Sequence, residues 1–362
     1  MLIVLTAVTF LVMISLLVAA HEYGHFLFAR LCGMGVEEFS IGFGKGKWVY
    51  KVKDGTEFTV RPLPLGGFVR IKGMVPEEDG SEVDIPGGFY SKPPAQRLLV
   101  LFAGPLFSIL AGVLILIGLF LSVPRHPLNE PVLGMVLEGK PAAQAGLQEG
   151  DRILSVDGQP VTTWYQLVSS VRDKPDQKLA FVVDRAGKRF ETSVKTYVND
   201  KETPVLGPDL EPTNERKKQA MIGAAPSARR STVPEAVGEA VVFPFEMAGG
   251  MVHAFTSTKR FKEEIGGPIS IVTATSEQVQ RGVADVILLA GLLSISLGIF
   301  NLLPIPGFLD GGQMVVAFME LLRGGRRLSM RTQSYLSGLG FTILVVLIVS
   351  VFAVDIGRLG GR

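Results

Sequence analysis

The segment His21-Glu22-Tyr23-Gly24-His25 carries the side chains in this sequence that are best suited to chemistry. Two histidines four residues apart lie on one face of a helix, where both imidazoles can bind one metal ion. Glu22 lies beside them, where a carboxylate can accept a proton. The spacing therefore predicts a metal site with His21 and His25 as ligands and Glu22 as the catalytic residue.

The motif follows directly on an uncharged run from Leu2 to Ala20, which is about the length that crosses a bilayer as a helix. Two histidines and a glutamate at this spacing also arise by chance on exposed helices of soluble proteins. Ionisable groups at membrane depth are costly, however, so their position after a span favours a function. The run lacks a basic start and a small-residue cleavage site, which argues against a signal peptide.

The overall composition is that of a membrane protein, since 47% of the 362 residues are hydrophobic and the mean hydropathy is +0.36. Further uncharged runs of similar length cover 98–123, 286–309 and 332–354, which predicts a polytopic α-helical protein with about four transmembrane helices. A net charge of +2 gives no support for nucleic acid as a partner. A single cysteine, Cys32, excludes a cysteine-rich zinc site, so any metal must be held by histidine and carboxylate.

The third apolar run ends close to a second candidate ligand, Asp310, which follows Pro304 and Pro306 and precedes two glycines. Catalytic zinc sites use three protein ligands and leave one position for water. Standing alone, Asp310 would be interpreted as an interfacial helix cap. Because the histidine motif is predicted at the same depth, Asp310 becomes the candidate third ligand of one Zn²⁺ per chain.

The distribution of basic residues predicts the orientation of the chain. No Lys or Arg precedes Arg30, whereas the segment 30–97 contains ten of them. By the positive-inside rule the N-terminus lies outside and the residues after His25 are cytoplasmic. The apolar stretch 234–258 either crosses the bilayer or lies on its outer surface as an amphipathic helix. The second alternative gives four spans and brings Asp310 to the side of the histidines.

The cytoplasmic-side segment contains strand-like runs at 48–53 and 56–61, joined at Asp54-Gly55, and a third run at 67–71. These runs form either a plain cytoplasmic hairpin or a membrane-associated sheet with a free edge beside the active site. Such an edge could pair with an extended substrate by strand addition.

Four phrases in order, at 133–136, 141–147, 150–158 and 164–171, resemble a PDZ domain of the bacterial, circularly permuted type. The resemblance implies an inserted α+β domain that binds an extended peptide or a protein C-terminus. It puts the peptide-binding loop at Leu133, Gly134, Met135 and Val136. A domain that only blocks access to the site sterically remains the alternative.

Taken together, the motifs resemble site-2 proteases, which are intramembrane zinc metalloproteases, and in particular the bacterial group that regulates sigma factors. The phrases that carry the resemblance are 21–26, 42–44, 64–69, Gly104-Pro105, the PDZ-like region, 267–270 and 301–312. The resemblance implies that His21, His25 and Asp310 bind zinc and that Glu22 is catalytic. It also implies that Asn301, Pro304 and Pro306 help to hold the substrate.

Three features depart from the family pattern. Two residues, Gly307 and Phe308, separate the second proline from the Leu-Asp-Gly sequence, where one is usual. Ser108 stands where the Gly-Pro motif is commonly followed by Asn. The chain has room for one PDZ domain, whereas many members carry two.

The predicted organisation alternates membrane and extramembrane segments. Its parts are a first span with the histidine motif (1–30), a β-hairpin or membrane-associated loop region (31–97), a second span (98–124), an extracytoplasmic PDZ domain (130–197), a linker (198–233), an extracytoplasmic amphipathic segment (234–284), a third span with the Leu-Asp-Gly motif (285–322) and a fourth span (332–355). The expected location is the bacterial inner membrane, with the site near the cytoplasmic side and the lipid bilayer as a partner.

The sequence therefore predicts hydrolysis of a peptide bond in the transmembrane segment of a single-span protein. An anti-sigma factor already trimmed by another protease is the expected substrate, and leftover signal peptides are a further possibility. Two alternatives remain open at this point: a non-catalytic membrane adaptor that recruits proteins through its PDZ domain, and an anchored metallopeptidase that acts on soluble substrates.

Overall fold

The computed structural model describes residues 1–53, 55–74, 85–198, 202–256, 261, 265–307 and 309–360. The chain forms two compact units, one made of Met1–Leu119 and Pro234–Arg362 and the other of Phe120–Val233. We call them the membrane unit and the inserted unit. The helices of the membrane unit are α1 (Leu2–Leu31), α2 (Pro94–Ser122), α5 (Val233–Phe255), α6 (Pro268–Arg281), α7 (Val283–Asn301), α8 (Asp310–Leu322) and α9 (Met330–Gly360).

Four helices in the described residues are long and apolar enough to cross a membrane, as the composition predicts. They cover Leu2–Leu31, Pro94–Ser122, Val283–Asn301 and Arg331–Arg358. Helix α5 contains three glutamates and Pro244 and is not among them. The chain is therefore built as a multi-pass membrane protein with a β-containing region.

The third apolar run was predicted to form one span together with the Leu-Asp-Gly motif, but the structure divides this region into two helices. Helix α7 ends at Asn301, and a separate helix, α8, begins at Asp310. Proline lacks a backbone N–H, so Pro304 and Pro306 cannot continue the hydrogen-bond ladder of a helix. Phe308, one of the two residues before Leu-Asp-Gly, lies outside the described residues.

A four-stranded sheet follows α1 in the membrane unit, with strand order β2-β3-β1-β4. Its strands are β1 (Val36–Phe43), β2 (Trp48–Lys53), β3 (Thr56–Val60) and β4 (Leu63–Ile71). The three predicted strands are present, but the prediction missed β1, which lies between β3 and β4. Asp54, part of the predicted turn, lies outside the described residues.

Strand β1 has a buried charge, which explains why its sequence is a weak strand signal. Glu38 is 3% exposed and accepts hydrogen bonds from Thr59 (2.7 Å) and Arg61 (2.8 Å). Burial raises the pKa of the Glu38 carboxyl, but the hydrogen bonds and the Arg61 charge outweigh it and hold the pKa below its ordinary value. The hydrogen bond between Glu38 and Thr59 joins β1 to β3 through side chains, in addition to the backbone pairing of the two strands.

Helix α8 is fixed at its far end by a buried ion pair. Arg97 of α2 and Glu320 of α8 are 2% and 0% exposed, and Arg97 Nη2 donates to Glu320 Oε2 at 2.6 Å. The second carboxylate oxygen accepts from the Leu328 backbone N–H at 2.9 Å. Because α8 begins with Asp310, this pair fixes the helix that carries the candidate third ligand to α2.

Helix α6 begins at the Gly267-Pro268-Ile269-Ser270 phrase and is capped by a residue of another helix. Asp355 of α9 accepts hydrogen bonds from the backbone N–H groups of Gly267 (3.1 Å), Ile269 (3.0 Å) and Ser270 (3.2 Å). The first N–H groups of a helix have no partner within it, so this carboxylate satisfies them. The phrase therefore has a structural role in joining α6 to α9.

The inserted unit is mainly β-structure with two short helices, α3 (Pro141–Gln144) and α4 (Trp164–Arg172). Its main sheet has the order β10-β9-β7-β8, and its apolar core includes Leu133, Ile153 and Phe181, each fully buried. Its strands are β5 (His126–Pro127), β6 (Leu133–Val136), β7 (Arg152–Val156), β8 (Gln159–Pro160), β9 (Lys178–Arg185), β10 (Lys188–Lys195), β11 (Tyr197–Val198), β12 (Thr203–Leu206), β13 (Pro212–Lys217), β14 (Ala220–Met221), β15 (Ala224–Pro226) and β16 (Ala228–Arg229).

The prediction of a linker at 198–233 is wrong for the described part of that segment. Strand β12 pairs with β13, β15 pairs with β6, and β16 pairs with β5. Leu210 and Ile222 belong to the apolar core of the inserted unit. The described part of the segment therefore belongs to the inserted unit, although its strands are short.

Candidate metal centre

Helix α1 presents the two histidines to the interior of the membrane unit. His21 and His25 are 7% and 8% exposed, and their Nε2 atoms are 3.3 Å apart. The two rings are nearly perpendicular, with an angle of 84° between their planes. One helical face therefore directs two ring nitrogens at the same point.

Asp310 reaches that point from the start of α8. Its Oδ2 atom lies 3.2 Å from His21 Nε2 and 3.4 Å from His25 Nε2. A Cβ at Gly311 would overlap the Leu302 carbonyl, and one at Gly312 would overlap the Ile305 carbonyl. The glycines let the start of α8 press against the preceding loop, which brings the Asp310 carboxylate to the histidines.

The three atoms have the spacing that a tetrahedral metal ion requires. Zinc binds nitrogen and oxygen ligands at about 2.0–2.1 Å, so tetrahedral ligand atoms lie about 3.3 Å apart. The three separations here are 3.2, 3.3 and 3.4 Å. Asp310 Oδ2 is buried without a hydrogen-bond partner among the described residues. Because a buried carboxylate oxygen is costly when unsatisfied, this donor set fits a bound cation.

The other ring nitrogen of each histidine is held by α2. His25 Nδ1 lies 2.8 Å from the Val100 carbonyl oxygen, and His21 Nδ1 lies 3.0 Å from Ser108 Oγ. Metal-binding histidines commonly have such a partner at their other ring nitrogen. Sequence reasoning found neither the Val100 contact nor the Ser108 contact. The one signal was Ser108 itself, a polar residue in an apolar run.

Glycines allow α1 and α2 to approach closely enough for these bonds. A Cβ at Gly24 would overlap the Ala103 carbonyl, and one at Gly104 would overlap His25 Nε2. Small residues at contacts between membrane helices permit such close packing. The Gly104-Pro105 motif thus contributes to the site by leaving space beside a candidate ligand.

Glu22 lies between the two histidines in sequence and faces the sheet. Its carboxylate has the Val69 backbone N–H of β4 as a hydrogen-bond partner. Strand β4 is an edge strand, and Pro64 near its start accepts a hydrogen bond from Ser15 of α1 at 2.8 Å. The edge of β4 therefore runs along the helix that carries the motif.

The predicted substrate residues lie at the end of α7 and in the loop that follows. Asn301 Nδ2 donates to the Leu297 carbonyl of its own helix at 3.0 Å. Pro304 is exposed, and Pro306 is partly buried, with its carbonyl against α9, where a Cβ at Gly340 would overlap it. The loop is thus wedged between α8 and α9. Contact of these residues with a substrate remains a prediction.

The predicted peptide-binding loop is a strand in the structure. Leu133–Val136 forms β6, which pairs antiparallel with β15. Leu133 also exchanges hydrogen bonds with Gly150 and Asp151 on its other side. The backbone groups of Leu133 are therefore occupied within the fold. Met135 and Val136 line a cavity of about 350 Å³ together with Ala143 and residues 146–149.

Comparisons with known proteins agree with this site. The family described as "Peptidase family M50" matches residues 9–347. A Helicobacter pylori (strain J99) protein, whose name describes a presumed zinc metalloprotease, is 35% identical over 92% of this chain and 95% of its own length. The chain therefore belongs to peptidase family M50, the site-2 protease family.

Two further relatives cover almost the whole chain. The "Regulator of sigma-W protease RasP" of Bacillus subtilis (strain 168) is 29% identical over 98% of this chain and 99% of its own length. The "Probable protease eep" of Enterococcus faecalis (strain V583) is 28% identical over the same shares. Their names, and those of the zinc metalloproteases among the relatives, support a membrane metalloprotease that depends on zinc.

Proposed function

We propose that this chain is an intramembrane zinc metalloprotease that cleaves the transmembrane segment of a single-span protein. The observation that carries the proposal is the convergence of three ligand atoms, from His21, His25 and Asp310, at separations of 3.2–3.4 Å. These residues would hold one Zn²⁺ per chain.

The chain's own residues supply positioning and proton transfer. When bound, zinc lowers the pKa of coordinated water and polarises a carbonyl oxygen. Glu22 accepts the proton of the attacking water and passes it to the leaving amine, as a general base and then a general acid. The Val69 N–H holds the Glu22 carboxylate in place, which orients it for this transfer. Asn301 donates its remaining amide N–H to the substrate backbone or to the oxyanion.

A large apolar cavity supports a substrate that lies in the membrane. It measures about 720 Å³ and is lined by α1, α5, α6, α7 and α9. Leu17 and Val18 in its wall are one turn before His21, and Phe300 precedes Asn301. Apolar side chains of a substrate segment would be desolvated there close to the proposed zinc ligands. An unwound stretch of that segment could pair with the edge of β4.

The identity of the substrate is drawn from the relatives. The name of the Bacillus subtilis protein describes a regulator of sigma-W. We therefore assign to this chain an anti-sigma factor already trimmed by another protease, with remnant signal peptides as a second class. Pro304 and Pro306 would keep the loop beside Asn301 open for such a segment.

The proposed topology has four spans in the bacterial inner membrane. In this topology the N-terminus lies outside and the zinc ligands lie near the cytoplasmic side. The reason is that the segment after His25 is rich in basic residues, whereas the start of the chain has none. The inserted unit would be an extracytoplasmic PDZ domain, built around the predicted residues 130–197, that either captures a peptide or controls access. Residues 234–284 would lie at the outer surface.

The test uses purified full-length protein in nanodiscs and a fluorescent single-span peptide. We expect wild type to contain about one zinc per chain and to cleave the peptide within its apolar segment. Glu22→Gln should retain zinc and lose about 10²–10⁴-fold in kcat, because the general base is removed. His21→Ala should lose both zinc and activity. Full activity of Glu22→Gln, or cleavage only outside the apolar segment, would contradict the proposal.

A further inference from the structure

Ser108 is a buried polar residue of α2 that the proposed mechanism does not use. It is 0% exposed, and its Oγ atom lies 3.0 Å from His21 Nδ1. The Nδ1 atoms of the two histidines have different kinds of partner on α2. Among the described residues, His21 Nδ1 contacts a side chain and His25 Nδ1 contacts a backbone carbonyl.

The direction of this hydrogen bond decides whether His21 can bind a metal. A neutral imidazole carries its proton on one nitrogen, and a metal needs the lone pair of the other. The Val100 carbonyl can only accept, so it fixes the proton of His25 on Nδ1 and frees Nε2. Ser108 does the same for His21 only when its oxygen accepts. A serine within a helix commonly donates its own proton to a carbonyl one turn earlier, which leaves that oxygen free to accept.

The position of Ser108 is fixed mainly by the close packing of α2 against α7, and one further hydrogen bond joins the two helices there. Ser294 of α7, also 0% exposed, donates from Oγ to the Ser108 carbonyl oxygen at 2.7 Å. A Cβ at Gly298 would lie 2.7 Å from the Pro105 carbonyl, and one at Gly291 would lie 2.8 Å from the Leu116 side chain. Contacts this close leave α2 little freedom to shift against α7.

We infer that Ser108 is a positioning residue that keeps the His21 proton on Nδ1 and the ring aimed at the metal. The inference rests on the proposed zinc site. It implies that the two ligands differ in how they are held. His25 is held by a backbone carbonyl, which no substitution removes. His21 is held by a side chain, which a single substitution removes.

The experiment measures zinc affinity as well as catalysis. Full-length wild type, Ser108→Ala, Ser108→Thr and Ser294→Ala are compared in nanodiscs by competition with a fluorescent zinc chelator. Loss of an outer hydrogen bond to a ligand typically weakens metal binding 10–100-fold. We expect Ser108→Ala to weaken zinc binding about tenfold and, with zinc saturating, to lower kcat without changing KM.

Ser108→Thr and Ser294→Ala separate the hydroxyl from the packing. Threonine keeps the hydroxyl, so Ser108→Thr should stay within about threefold of wild-type zinc affinity. Ser294→Ala removes an equally buried hydroxyl from the same helix contact but not the bond to His21, so its zinc affinity should also stay within about threefold. Cobalt absorption spectra should change for Ser108→Ala and match wild type for the other two variants.

Three outcomes would overturn the inference. Wild-type zinc affinity in Ser108→Ala would show that the hydroxyl is not needed, while leaving the proposed function intact. Equal losses in Ser108→Ala and Ser108→Thr, or in Ser108→Ala and Ser294→Ala, would assign the effect to packing. A wild-type protein that binds no zinc would reject the proposed function and the inference together.

Discussion

Two buried aspartates, one in each unit of the molecule, differ in how their oxygens are satisfied. In the inserted unit Asp151 is 0% exposed and accepts from Arg185 Nε (2.7 Å), Arg185 Nη2 (2.8 Å) and the Gln148 backbone N–H (2.8 Å). In the membrane unit Asp310 Oδ2 is buried, has no hydrogen-bond partner in the described part of the chain, and faces two ring nitrogens. The first arrangement is complete within the protein, whereas the second fits the cation that we propose.

This difference separates structural from functional carboxylates better than burial does. A buried charge with full hydrogen bonding holds elements together, and its loss costs stability. A buried oxygen that has no hydrogen-bond partner in the folded protein is unfavourable in free energy, and a bound ligand can remove this cost. The comparison predicts that the same substitution in the two units affects different measurements.

Replacement of each aspartate by asparagine should give the largest contrast. Asp310→Asn removes the anionic ligand, and we expect zinc affinity and proteolysis to fall at least about a hundredfold. Unfolding of the zinc-free protein should change by less than about 1 kcal/mol, since Asp310 Oδ2 has no hydrogen-bond partner among the described residues. Asp151→Asn should bind zinc as wild type does and lose about 2 kcal/mol of stability. Chelator competition and chemical unfolding on the same samples would decide the matter, and comparable zinc loss in both variants would break the comparison.

Glu320 tests whether depth in the membrane unit or hydrogen bonding decides the role of a carboxylate. It belongs to the same unit as Asp310 but is fully satisfied by Arg97 and the Leu328 N–H. We expect Glu320→Gln to lower stability, as Asp151→Asn does, because it leaves Arg97 as a buried charge without a partner. The free energy of unfolding should fall by about 3 kcal/mol, the lower end of the range for broken buried ion pairs.

The matched control for Glu320→Gln is the double variant Arg97→Met with Glu320→Met. Removing both charges should recover most of the stability, because well-packed apolar residues can replace a buried ion pair. Zinc affinity in each folded variant should remain within about threefold of wild type. A hundredfold loss of zinc in Glu320→Gln at unchanged stability would place Glu320 with Asp310 instead.

The smallest expected effect is the pH dependence of the Asp151 pair. Burial raises the pKa of Asp151, but hydrogen bonds from Arg185 and the Gln148 N–H, with the Arg185 charge, hold it below its ordinary value of 3.8. A carboxyl with a lowered pKa stabilises the fold above its ordinary value, and this contribution is lost as the pH falls through the folded value. The stability difference between wild type and Asp151→Asn should therefore be constant near neutral pH and shrink below about pH 4.

Tryptophan fluorescence can follow this effect in the full chain. The sequence has two tryptophans, of which Trp164 is buried in the inserted unit at 4% exposure and Trp48 is in the membrane unit. In a Trp48→Phe background the signal reports Trp164 alone. A difference that grows as the pH falls below 4 would contradict the assigned role of the Asp151 pair.

Much of the fold could be predicted from local patterns. The apolar runs identified the four helices long enough to span a membrane, and strand-like runs with a turn signal between two of them identified β2, β3 and β4. Strand β1 and the strands between 203 and 229 were missed. Their pairing depends on partners far along the chain, such as β6 for β15, and most of the strands between 203 and 229 are too short to show a strand pattern, while β1 carries charges that weaken it.

Part of the candidate site could also be predicted from local patterns. The spacing of His21, Glu22 and His25 carries its own geometry, because four residues make about one turn of a helix. Asp310 was predicted from its position at the end of an apolar run, and the structure brings its Oδ2 to both histidines. The contacts of Val100 and Ser108 with the histidines could not be predicted, since they depend on how α2 packs against α1; the polarity of Ser108 within an apolar run was the one local signal.

The sequence by itself determined that the chain has apolar helices and a metal-binding motif, because hydrophobicity and helical spacing are local properties of consecutive residues. Only the tertiary structure decided which carboxylates are satisfied. Arg97 meets Glu320 across 223 positions, while Asp310 reaches the histidines with an oxygen that no described residue satisfies. The physical reason is that a hydrogen bond depends on distances of about 3 Å between atoms that packing alone brings together.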